Sequence, residues 1–100
     1  MIKGLKSTNF NAELAQQLGI GLYEFITLAL FYYSQEELGT DGWATIDEEM
    51  ISKYTKLSKS WTTRTINNCV KKDYLIKENG RYKVTKEFYS QVPFPLYEKD

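Results

Sequence analysis

Hydrophobic and polar positions recur with a changing period along the chain, and each change marks an element. Residues 11–18 read as a short helix, with Asn9 or Asn11 able to cap its start and Gly19 able to close its end. After the Ile20-Gly21 joint, residues 22–38 predict the longest helix, ended by Gly39. Within it, ten of the twelve residues Leu22–Tyr33 are apolar or aromatic, Glu24 and Thr27 being the exceptions. A surface helix needs an apolar stripe on one side only. This one is apolar nearly all round. It is therefore either the central helix of the core or a helix that also faces a partner chain, and a homodimer through Leu22–Tyr33 is the expectation that follows from the second case.

Gly39-Thr40-Asp41-Gly42 is a turn by composition, and residues 43–46 predict a short strand. Asp47 is a good N-cap for a helix over 48–54, with Glu48 and Glu49 on its positive end. Ser58 caps a second helix, 59–73, in which Thr62, Ile66, Cys69 and Val70 fall on one inward side. Residues 74–85 predict a hairpin. Asn79-Gly80 is its turn, and in the return strand Tyr82 and Val84 alternate with Arg81, Lys83 and Thr85. Residues 86–91 offer a last helical turn. The two prolines of Val92-Pro93-Phe94-Pro95-Leu96 rule out regular helix, so residues 92–100 are expected as a tail that packs by its apolar side chains.

One hundred residues, 42% hydrophobic and 26% charged, suit a single globular domain with one modest core. The absence of histidine removes the commonest general base and the commonest neutral metal ligand. A single cysteine, Cys69, excludes an internal disulfide and a cysteine-based zinc cluster. It reads as a small core residue, and a lone thiol suits a reducing cytoplasm. The chain opens Met1-Ile2-Lys3-Gly4 without a signal-peptide pattern, and its longest apolar stretch is too short to span a bilayer. A cytoplasmic protein with no membrane partner is expected. No phosphate-cradling glycine loop is present, and Asp47-Glu48-Glu49 is explained by helix N-terminal charge. Neither catalysis nor a cofactor or metal is expected.

Charge changes this picture. The formal net charge is zero, with thirteen cations against thirteen acids. Residues 1–50 hold two cations and eight acids, whereas residues 51–86 hold ten cations and two acids. The basic block is the region of the second helix and the hairpin, and such asymmetry is a sign of a surface that faces a polyanion.

The same block carries a resemblance. The order helix, short strand, helix, tight turn, helix, strand, Asn-Gly turn, strand is that of a winged helix. Leu57-Ser58-Lys59-Ser60-Trp61-Thr62-Thr63-Arg64-Thr65-Ile66 resembles the turn and recognition helix of winged helix-turn-helix proteins, in which a Leu-Ser pair precedes a helix with Arg and Ile at these spacings. Lys71-Lys72-Asp73-Tyr74-Leu75-Ile76 resembles the stretch that enters the wing. The likeness covers residues 43–85, with 22–38 as the first helix. It departs at Lys56, near a turn position usually held by glycine. It departs again at Trp61 and Cys69, where a small polar residue and a leucine are more usual. The resemblance implies one winged helix-turn-helix domain, α+β and mainly α, with a small three-stranded antiparallel sheet. It implies duplex DNA as partner, in a small transcriptional regulator or in a replication-initiation module of a bacterium, plasmid or phage.

The residues point to DNA on their own account as well. Lys59, Ser60, Trp61, Thr63, Arg64, Asn67, Asn68 and Lys71 are left outward or flanking on the helix. Arg64 can pair with guanine and Asn67 with adenine. Ser60 and Thr63 can reach bases or phosphates, and Lys56, Lys59 and Lys71 can hold phosphates. Arg81 and Lys83 flank the Asn79-Gly80 turn, where a wing would touch the backbone. The rival expectation is a winged-helix module that binds a protein instead. The acidic first half, the apolar breadth of Leu22–Tyr33 and eight Tyr, five Phe and two Trp support it.

Overall fold

The computed structural model describes residues 2–100. Its elements run β1 (Leu5–Thr8), α1 (Ala12–Gln17), α2 (Leu22–Tyr33), α3 (Glu48–Thr55), α4 (Lys59–Lys71), β2 (Leu75–Glu78), β3 (Arg81–Val84), α5 (Lys86–Tyr89) and β4 (Tyr97–Lys99). The result is an α+β fold, about half of it helical, with two separate two-stranded antiparallel sheets, β1–β4 and β2–β3.

The helix starts are the ones the local chemistry dictates. Asn11 Oδ1 accepts from the Leu14 N–H, Asp47 Oδ1 from the Met50 N–H, and Ser58 Oγ from the Trp61 N–H. Each satisfies one of the four donors that a helix N-terminus leaves free. Asn79 and Gly80 both take positive φ, 52° and 75°, as the tight hairpin between β2 and β3 requires.

Helix α2 is the centre of the core. Phe25, Leu28, Ala29, Leu30, Phe31 and Tyr33 are buried by the rest of the chain, together with Ile51 of α3 and Ile66 and Cys69 of α4. Leu75, Val84 and Phe88 close it from the hairpin and α5. The apolar breadth of α2 is thus consumed within the chain, and of its large side chains only Leu22 and Tyr23, in its first turn, are exposed. The predicted helix over 22–38 is helical throughout, but it widens to a π-helical turn at Ser34–Leu38.

The expected three-stranded sheet is not formed. Residues 43–46 are irregular, and one bond joins them to the hairpin, from the Ala44 N–H to the Tyr82 carbonyl at 2.8 Å. The rest of that edge is occupied by a side chain. Buried Gln35, in the π-helical turn, accepts from the Val84 N–H at 2.7 Å and donates to the Val84 carbonyl at 3.4 Å. A glutamine amide therefore stands where a third strand would have paired. The second sheet departs from the sequence expectation too. The segment expected as a tail supplies β4, which pairs with β1 in the register Leu5↔Lys99, Ser7↔Glu98 and Thr8↔Tyr97.

Candidate nucleic-acid interface

The Ser58-capped helix α4 buries Thr62, Thr65, Ile66 and Cys69 and turns its opposite side outward. Thr65 joins the inward positions that helical spacing predicts. Ser60, Arg64, Asn67 and Lys71, at intervals of four, three and four, form an exposed row on the outer side. Lys59 is exposed at the helix start, and Lys56 is exposed in the turn before it. No acidic residue lies within α4. Val70, expected inward, is only half-buried.

The basic block keeps most of its charge free. Of its ten cations, three make ion pairs: Lys53 with Glu49, Lys77 with Glu48, and Arg81 with Asp41. Among the described residues, Lys56, Lys59, Arg64, Lys71, Lys72, Lys83 and Lys86 have no carboxylate partner. Lys72, absent from the candidate set, is signalled by the same charge count.

Two flanks bound the row. On one side Thr63 donates to Glu48 Oε1 at 3.0 Å, so its hydroxyl serves α3 rather than solvent. The other oxygen of Glu48 accepts from Tyr82 Oη at 2.6 Å and from Lys77 Nζ at 3.2 Å. One carboxylate thereby ties α3, α4 and both hairpin strands together. Partial burial works to raise the Glu48 pKa, but the bonds from Tyr82, Thr63 and Lys77 outweigh it and hold the group below the ordinary carboxylate value. From sequence Glu48 reads as helix-end charge only, because its partners lie on distant elements.

On the other flank, Trp61 is exposed and the Arg64 guanidinium sits over its ring, 4.8 Å from the centroid. Half-buried Asn68 lies beside them in a groove that also takes in Leu22, Tyr23 and Leu57.

The hairpin cations are arranged differently from the helix cations. Arg81 pairs with Asp41 at 3.7 Å, and its guanidinium lies 4.3 Å from the centroid of Trp43. Lys83 approaches the same ring at 4.8 Å. Trp43, read from sequence as part of a strand, is instead the platform for both. Lys59, Arg64 and Lys71 thus belong to one helix, while Arg81 and Lys83 gather around Trp43.

Cys69 is buried, and burial together with the nearby Glu24 pushes its thiol pKa well up, which disfavours the thiolate form. Among the described residues no group of three or more acids or thiols is placed to hold a metal ion, and no helix is long and apolar enough to cross a membrane. Comparison with protein-family models, curated proteins and solved structures finds no match in any of the three.

Proposed function

We propose that this chain is a winged helix-turn-helix module that binds duplex DNA, with α4 in the major groove and the β2–β3 hairpin as its wing. One observation carries the proposal: the exposed row Ser60, Arg64, Asn67 and Lys71 lies on an acid-free helix whose cations have no carboxylate partner among the described residues. A helix of this kind meets a polyanion without first breaking ion pairs. Arg64 offers a bidentate contact to guanine and Asn67 one to adenine. Lys56, Lys59 and Lys71 bracket the row and hold phosphates, which fix position rather than sequence. Arg81 and Lys83 give the wing its backbone contacts. The Arg81–Asp41 pair is long and exposed, so exchanging it for a phosphate costs little.

The role is that of a small transcriptional regulator or a replication-initiation module of a bacterium, plasmid or phage. Selection of a preferred site from a random duplex pool, followed by Arg64→Ala, tests the assignment. The substitution is expected to cost about 1–3 kcal/mol on the preferred site and to relax the preference at one position. An unchanged preference removes Arg64 from the reading face.

A second reading has one observation in its favour. Leu22, Tyr23 and Trp61, three exposed large apolar side chains, line one groove, as in a winged helix that docks on a protein. Failure to bind any duplex at low salt would favour it.

A further inference from the structure

Trp61 is the most exposed large apolar side chain among the described residues, at 56%. Leu22 and Tyr23, at 44% and 42%, line the same groove of about 360 Å³. Leu57, Arg64 and Asn68 add to its lining. Glu24 also borders it, with one carboxylate oxygen engaged by the Gly21 N–H at 2.8 Å.

The Arg64 guanidinium, 4.8 Å from the Trp61 ring centroid, is already stacked before any ligand arrives. Stacking uses the flat face of the guanidinium and leaves its in-plane N–H donors free. The apolar groove thus adjoins a positioned donor fork, and both lie at the edge of a helix face whose charge complements DNA.

This further step rests on the DNA-binding reading. In the major groove guanine presents O6 and N7 to an arginine fork, and thymine alone adds a methyl group. We propose that the groove beside Trp61 receives the 5-methyl group of a thymine next to the guanine contacted by Arg64. Trp61 is then a specificity-determining residue for a T·A pair. The methyl meets the indole, Leu22 and Tyr23, while the Arg64 fork reaches the neighbouring base. One of the positions where the winged-helix resemblance breaks down thereby acquires a use.

The test uses the site selected from a random duplex pool and replaces its thymines by deoxyuridine one at a time. Affinity is read by fluorescence anisotropy for the wild-type chain and for Trp61→Ser, whose exposed position leaves the core intact. For the wild type, one replacement beside the Arg64 guanine is expected to weaken binding about fourfold, the effect of one buried methyl group. Trp61→Ser is expected to bind the thymine and deoxyuridine duplexes equally, with the salt dependence of binding retained.

Salt-dependent binding that ignores every thymine replacement overturns this inference alone, as does a selected site with no thymine beside the guanine. Retention of the fourfold difference in Trp61→Ser also overturns it and moves the methyl contact elsewhere. Absence of binding to any duplex overturns the DNA reading and this inference together.

Discussion

Gln35 offers the sharpest test of how the hairpin is held, because its side chain replaces a strand. The bond from the Val84 N–H to Gln35 Oε1, at 2.7 Å, is short and buried. The return bond to the Val84 carbonyl, at 3.4 Å, lies at the long limit and is weak. In Gln35→Leu the side chain still fills the space but neither donates nor accepts. The orphaned N–H should then cost about 1–3 kcal/mol and the carbonyl less than about 1 kcal/mol, so the loss is about 1–4 kcal/mol, centred near about 2.5 kcal/mol. For a domain with an ordinary stability of about 5–15 kcal/mol, that shift is large without abolishing folding. Urea unfolding followed by circular dichroism should show a midpoint lower by about 2 M, given a slope of about 1–1.5 kcal/mol/M. Gln35→Glu sharpens the test. It keeps the acceptor but buries a charge beside the Val84 carbonyl, so burial raises its pKa. Its penalty should shrink as pH falls through that raised value and the carboxyl becomes a neutral donor. A Gln35→Leu variant within about 0.5 kcal/mol of wild type would refute the reasoning, because a surface-like change has that size.

Other perturbations test separate parts of the fold. The Thr27 hydroxyl is fully buried with no hydrogen-bond partner among the described residues, so Thr27→Val should raise stability by about 1–2 kcal/mol, read as a higher melting temperature. A lower melting temperature would mean that the hydroxyl has a partner in solution. Lys56 holds the left-handed C-cap of α3 at φ 66°, where a side chain costs about 1 kcal/mol. Lys56→Gly should therefore stabilise the fold slightly while weakening DNA binding, two readouts of opposite sign. Glu48, with its folded pKa depressed, contributes stability that is present above its unfolded value of 4.5 and is lost as pH falls through the folded value. Glu48→Gln should flatten that acid limb in a series of melts from about pH 7 to about pH 3. An unchanged limb would assign it to other groups.

Much of the fold was legible because it is local. Asn11, Asp47 and Ser58 are capping residues three positions from the donors they satisfy, and Asn79-Gly80 encodes its own turn. Helical spacing alone placed Ser60, Arg64, Asn67 and Lys71 outward. What was not legible depends on distant partners. Leu5–Thr8 finds its strand partner at the other end of the chain, and the intervening sequence gives no pairing signal. Residues 43–46 have strand propensity, yet Gln35 already occupies the edge they would have joined. Propensity gives way to tertiary satisfaction of a buried backbone group. The same limit holds at the site. Thr63 looks free until Glu48, fifteen residues earlier, takes its hydroxyl. Arg81 and Lys83 look like free wing cations until Asp41 and Trp43 come up beside them.

The central claim is that α4 presents its unpaired cations to phosphates and bases of a duplex. A fluorescence-anisotropy titration of a random duplex pool at stepped salt concentrations tests it most directly, with the triple variant Lys59→Gln, Arg64→Gln and Lys71→Gln alongside. The wild type should bind and lose affinity steeply with salt. Every phosphate that the variant no longer neutralises should reduce the slope of log K against log salt by about 0.9, so with Lys59 and Lys71 on phosphates a slope shallower by about 2 is expected for it. No wild-type binding at low salt, or a variant with the wild-type slope, would contradict the claim.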